Sequence, residues 1–297
     1  MTSESLTDDF IPTLTQWATT RPSIRAILLT STRAIPTAYT DLLSDYDLIL
    51  IVQDIHPFVS DPSWLNGFGE VLVAYWDPIY PNPIFGDDEC GNVVQYVDGL
   101  KIDFTLWPVA LLQQIVAAPA LPAELDAGYR VLLDKDHLTS SMHPPTFAAY
   151  APKPPTATIY QTLINDFLSG APYVAKCLWR DELLPAKWCL EADMKHVYLR
   201  QMLEWRVAID SNWLVPVGAL GKGLKKRLPP EIWAALEQTY VGAERAENWQ
   251  ALASTMALFR QVAIEVGAQL GYEYPEDLHQ RVGAYINQIK QLRQPEA

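Results

Sequence analysis

Residues 24–52 read IRAILLTSTRAIPTAYTDLLSDYDLILIV. Residues 24–29 are apolar except for Arg25, the pattern of a strand with both faces covered, and they run into a small-hydroxyl turn, Thr30-Ser31-Thr32-Arg33. Further on, Asp45-Tyr46-Asp47 opens a second apolar strand over 48–52. Side chains alternate faces along a strand, so Asp45 and Asp47 point the same way, a few ångströms apart. Two adjacent carboxylates repel unless a cation separates them, and a divalent metal is the usual answer. Hydroxyls and backbone N–H groups in the turn ahead of them can cradle phosphate. Together these parts fit nucleotidyl transfer.

Outward from this stretch, strands are expected at 25–29, 47–52, 70–75, 92–97 and 101–106. Val97-Asp98-Gly99-Leu100 reads as a hairpin turn joining the last two. That hairpin aims Asp103 beside Asp45 and Asp47. Ile102, Phe104 and Leu106 share the core face of their strand, and Lys101, Asp103 and Thr105 share the other. Asp103 is then placed either to bind a second metal or to accept a proton as general base.

Proline-rich Ser141-Met142-His143-Pro144-Pro145 and Ala151-Pro152-Lys153-Pro154-Pro155 read as a connector. The expected domains are 1–145 and 157–297. Past the connector the pattern turns helical: Leu252, Met256, Phe259, Ala263, Val266 and Leu270 recur at spacings of three and four. Pro275 followed by Glu276 and Asp277 suits the start of a last helix. A helical domain beside a mixed-sheet domain is expected to leave a ligand cleft.

The turn and the Asp-x-Asp resemble the nucleotidyltransferase superfamily. Further runs extend that likeness to one family, the aminoglycoside 6-adenylyltransferases (streptomycin adenylyltransferases). These are KIDFTL at 101–106, GYRVLLDKD at 128–136, APYVAKCLWRDELLPAK at 171–187, MLEW at 202–205, GKGLKK at 221–226 and LGYEYP at 270–275. The Asp-x-Asp alone is common in loops; the ordered set is specific.

The resemblance implies an α+β protein, a mixed-sheet nucleotidyltransferase domain followed by an α-helical bundle domain. It implies Mg²⁺-dependent transfer of AMP from ATP to an aminoglycoside hydroxyl, streptomycin's 6-hydroxyl first, giving antibiotic resistance. Asp45, Asp47 and Asp103 would be the catalytic and metal-binding carboxylates. Ser31, Thr32 and Arg33 would hold phosphate. The family turn reads Gly-Ser-Arg, so Ser31 replaces a glycine and Thr32 a serine. Glycine is favoured where φ is positive or a backbone must lie close to a ligand, and threonine adds a methyl and stiffness. The alternatives are transfer to another small hydroxyl acceptor, or a nucleotide- or ligand-binding relative silenced by Ser31.

The second half offers further candidates. GALGKGLKK at 218–226 is no P-loop, lacking the Gly-x-x-x-x-Gly-Lys-Ser/Thr spacing. Either Lys222 or Lys225 reaches triphosphate, or the segment is a solvated basic turn. Lys176, Arg180, Asp181 and Glu182 fall on or near one helix. Lys176 could meet phosphate, and Asp181 and Glu182 the drug's cations; surface ion pairing is the other reading.

The 297 residues are 49% hydrophobic, enough for a large core, and the net charge of −13 argues against a nucleic acid partner. The same charge suits a cationic small-molecule antibiotic. No apolar run is long enough to cross a bilayer, and the polar N-terminus MTSESLTDDF is unlike a signal peptide. The three cysteines, Cys90, Cys177 and Cys189, lack metal-ligand spacing and suit a reducing cytoplasm; a monomer is expected. The five histidines form no zinc pattern, and no hydrolase elbow or dinucleotide fingerprint occurs.

Overall fold

The computed structural model describes residues 10–36 and 38–293. Most of the polar N-terminal stretch thus lies outside the described residues. The chain divides into two compact units, Met1–Tyr150 and Ala151–Ala297.

The first unit is built on a mixed sheet of β1 (Ile24–Thr30), β2 (Tyr46–Val52), β3 (Val71–Trp76), β4 (Tyr80–Pro81), β5 (Asp88–Tyr96), β6 (Lys101–Pro108) and β7 (Tyr129–Asp134). The order is β3-β5-β6-β2-β1-β7, with β4 paired to β5. All pairs are antiparallel except β2 with β6. At the β5–β6 hairpin, Gly99 takes φ +98 and its N–H donates to the Tyr96 carbonyl.

The central strands are covered on both faces, which explains their nearly unbroken apolar sequence. Tyr46, Leu48, Leu50 and Val52 join Ile102, Phe104 and Leu106 on one side, under the helix Phe10–Thr19 and the rings of Trp64 and Phe68. Ile49, Ile51 and Trp107 face the other side, against Leu111, Leu112 and Ile115 of the helix Val109–Ala117. Asp47 and Asp103 belong to this second face, at the point where its apolar cover gives out.

Three strands differ from expectation. The two-residue β4 was not expected. β5 starts four residues before 92, because Glu89 and Asn92 are buried polar residues whose side chains find partners: Asn82 Nδ2 donates to Glu89 Oε2, and Asn92 Nδ2 to the Tyr75 carbonyl. β7 was not expected as a strand. It is an edge strand beside β1, and its half-exposed YRVLLD lacks the apolar density of the centre.

The second unit is helical. Its long elements are Ala157–Trp179, Arg245–Leu270 and Glu276–Gln291, together with a continuous helical stretch from Leu183 to Asp210 that passes through a wide π turn over Trp188–Leu199. Of the predicted seam, Leu252, Met256, Phe259, Ala263 and Val266 are buried and Leu270 packs at the margin. Glu276 and Asp277 open the last helix, where carboxylates complement its dipole. Buried Lys195 donates to Glu191 and to the Thr239 carbonyl at 2.5 Å, and sits over the Tyr240 ring. This ties the π stretch to the segment after the helix Pro230–Glu237. Among the described residues no helix is long and apolar enough to cross a membrane.

At the centre of this unit the fully buried rings of Phe167 and Phe259 stack with centroids 3.6 Å apart. Phe259→Ala is expected to destabilise the protein by about 3–5 kcal/mol. Urea unfolding followed by circular dichroism reads this as a lower midpoint, with the loss concentrated in the helical signal.

Candidate active site

The site is assembled by strand register. β1 and β2 pair Thr30 with Asp47, so the turn that begins at Ser31 starts alongside that carboxylate. The parallel pairing of β2 with β6 sets Tyr46 beside Ile102 and Asp47 beside Asp103. Asp45, two residues before Asp47, falls on the same face, as does Lys101, two before Asp103. The structure therefore brings Asp45, Asp47, Asp103 and Ser31 together.

Lys101 is the residue the sequence reading left without a role. Its ammonium lies 2.6 Å from Asp45 Oδ2, 3.1 Å from Asp103 Oδ2 and 3.0 Å from Asp103 Oδ1. Burial works against the Lys101 charge, but the hydrogen bonds to Asp45 and Asp103 outweigh it and raise the pKa. Asp47 is held above the ordinary carboxylate range, first by burial and then by repulsion from Asp103, against a hydrogen bond from Ser31 that favours its charged form. The charged form of Asp47 is thus poorly compensated in the site.

Among the described residues, no three His, Cys, Asp or Glu side chains are gathered closely enough to hold a metal ion. The carboxylates instead close around an ammonium. Their donor set nevertheless fits a hard cation. It is all oxygen, Asp47 is poorly balanced, and Asp103 Oδ1 is buried without a donor in hydrogen-bond geometry.

Ser31 has φ +57, in the left-handed region. A non-glycine residue there costs about 1–2 kcal/mol, so Ser31 is held in the conformation a glycine would adopt freely. Arg33 has a role in the backbone that was not expected. Its Nε donates to the Asp45 carbonyl at 3.0 Å, its Nη2 to the Ser44 carbonyl at 2.8 Å, and its guanidinium lies over the Tyr46 ring. The side chain fixes the backbone entry to the Asp pair. Thr32 is half-buried within the same short 3₁₀ turn, Ser31–Ala34.

The acidic face continues past Asp103. Gly91 pairs with Thr105 and Val93 with Asp103, which puts Gly91 one diagonal step from Asp103, ~7–8 Å. A Cβ on Gly91 would stand 2.3 Å from Asp77 Oδ2, so the missing side chain is what lets this carboxylate lie over the sheet. Next along, burial and neighbouring Glu89 push the Tyr80 hydroxyl up to about 12. The sequence reading did not single out Asp77 or Glu89, because Gly91 falls just outside the strand expected at 92–97 and within β5 only in the structure.

The remaining candidates lie in the second unit. Lys176 is exposed, with its ammonium 5.8 Å from the centre of the Tyr285 ring. Lys222 is exposed on a tight turn, and Lys225 pairs with Glu237 at 3.3 Å. Asp181 and Glu182 follow the end of the helix Ala157–Trp179 rather than lying on it. Asp181 is left-handed at φ +63, with its carboxylate 3.8 Å from Arg245.

A sheet whose register converges three aspartates beside a hydroxyl turn, with a helical unit following in the chain, defines a nucleotidyltransferase. The streptomycin adenylyltransferase family pattern matches residues 6–289, and the chain belongs to that family. It is 31% identical over 261 residues to an aminoglycoside 6-adenylyltransferase of Campylobacter jejuni, covering 87% of each chain. It is 30% identical over 260 residues to one of Bacillus subtilis (strain 168), covering 85% of this chain and 87% of that one. A crystal structure of an aminoglycoside 6-adenyltransferase from Bacillus subtilis aligns over 98% of this chain and 100% of that one, at 24% identity and a TM-score of 0.45.

Ser31→Gly removes the left-handed strain and also the hydrogen bond to Asp47, terms of similar size and opposite sign. Stability is expected to stay within about 1 kcal/mol of wild type, with turnover equal or higher. Ser31→Val, branched at Cβ where φ is positive, should lose at least ~1–2 kcal/mol. Thermal melts and initial rates of both variants check this.

Proposed function

We propose that this chain transfers AMP from ATP to a hydroxyl of an aminoglycoside, the 6-hydroxyl of streptomycin being the acceptor chosen, and so inactivates the drug. The observation that carries the reading is the convergence of Asp45, Asp47 and Asp103 beside the Ser31 turn, in a chain of this family. A bulky anionic AMP on the drug would spoil its fit to ribosomal RNA.

Asp45, Asp47 and Asp103 would hold Mg²⁺, which when bound supplies positive charge against the triphosphate. The residues do the rest by position and charge. Ser31 and Thr32 would hold the β- or γ-phosphate, and Arg33 keeps Asp45 in line through the carbonyls of residues 44 and 45. Asp103, whose carboxylate Lys101 holds at 3.0–3.1 Å, would either bind a second metal or accept the proton of the acceptor hydroxyl. In the second unit, exposed Lys176, Lys222 and Lys225 are suited to phosphate, and Asp181 and Glu182 to the drug's cations. Their roles are proposed on that chemistry alone.

The acidic continuation at Asp77 suits an acceptor carrying guanidinium groups. A silenced relative is the weaker reading, because Ser31 adopts the glycine-like conformation instead of abandoning it.

Mass spectrometry after incubation with ATP, Mg²⁺ and streptomycin is expected to find the drug plus AMP. Asp47→Asn should abolish that product while leaving the circular dichroism spectrum intact, and excess EDTA should stop its formation. An active Asp47→Asn variant would remove the carboxylate reading. Asp77→Asn should raise KM for streptomycin roughly 3- to 10-fold, in line with one lost charge-assisted contact, while kcat moves less. Initial rates at varied drug concentration separate the two.

A further inference from the structure

We propose that Lys101 is a resident counter-cation: it holds Asp45 and Asp103 together in the metal-free protein and must be displaced before a divalent metal can occupy their oxygens. The inference rests on the metal-dependent reading above and deepens it. The ammonium bridges Asp45 Oδ2 at 2.6 Å and the Asp103 carboxylate at 3.0–3.1 Å. The bridge is built into the sheet. Lys101 is the first residue of β6, and the parallel register that pairs Tyr46 with Ile102 sets Lys101 level with Asp45.

A divalent metal held by the same two carboxylates would need the oxygens that the ammonium now occupies. Two cations there would also repel. Binding is therefore an exchange. The Lys101 side chain is 30% exposed, and its long flexible stem lets the charge swing away while the strand stays in place. Once displaced, the ammonium needs another anion, and a triphosphate arriving with the metal supplies one. Metal alone meets the full resistance of Lys101; metal carried by nucleotide does not. The device offsets the repulsion between Asp45 and Asp103 in the metal-free protein and delays metal capture until substrate is present.

The test uses Mn²⁺ alone, without nucleotide, titrated into the full chain and followed by electron paramagnetic resonance. Lys101→Met keeps the length of the stem and removes the charge. It is expected to bind Mn²⁺ at least about tenfold tighter than wild type, to melt lower than wild type without metal, and to recover with Mn²⁺. Lys101→Arg, which keeps the charge, should bind Mn²⁺ as weakly as wild type. Lys101→Gln is a second neutral variant and should follow Lys101→Met. Equal or weaker Mn²⁺ binding by folded neutral variants overturns the proposal while leaving the metal site standing. Absence of Mn²⁺ binding to every form, with ATP as well as without, overturns the metal reading itself.

Discussion

The parallel pairing of β2 with β6 is the constraint on which the site depends. Among the described residues it is the one parallel contact in an otherwise antiparallel sheet, and it aligns two strands that each begin with charge and continue into core. Slide either strand by one residue and every side chain changes face. Ile49, Ile51 and Trp107 would then leave the apolar layer under the helix Val109–Ala117, so hydrophobic burial of the strand ends enforces the register. The carboxylates at the strand starts inherit a juxtaposition they would not adopt by themselves. Energy from the apolar half of each strand holds the charged half in place.

That arrangement explains why the surroundings are built as they are. The electrostatic cost of the aspartates is offset locally by Lys101 and by Ser31, and the chain entering β2 is clamped by Arg33. Each of these contacts is partly open to water, which limits its worth in stability but leaves it exchangeable. The core needs no such freedom. In the second unit Phe167 and Phe259 are closed in completely, and the deeply buried ammonium of Lys195 is satisfied by Glu191 and a carbonyl.

Much of this was legible in the chain. Alternation along 45–52 and 101–106 put Asp45, Asp47 and Asp103 on one face, and spacings of three and four gave the seam of Arg245–Leu270. Lys101 was placed on the correct face by the same alternation. Its partnership with Asp45 was hidden because it depends on a parallel register between strands far apart in sequence. Asp77 was hidden for a related reason, since it reaches the sheet by lying over Gly91 across a strand pair. β7 escaped because an edge strand carries a weaker apolar signal than a central one. Arg33 was read as a phosphate ligand; its hydrogen bonds to the Ser44 and Asp45 carbonyls are a further role that no side-chain pattern announces.

The Arg33 clamp has a consequence for how such a protein can diversify. One guanidinium ties the start of the connection between β1 and β2 to its last carbonyls, at Ser44 and Asp45. Whatever lies between is closed off from the aspartates mechanically, and lengthening a closed loop adds entropy cost only slowly. Tyr39, Leu42 and Leu43 in this connection are strongly exposed. Changes of length or composition in this connection are therefore expected to leave the phase of the strand that carries Asp47 unaltered.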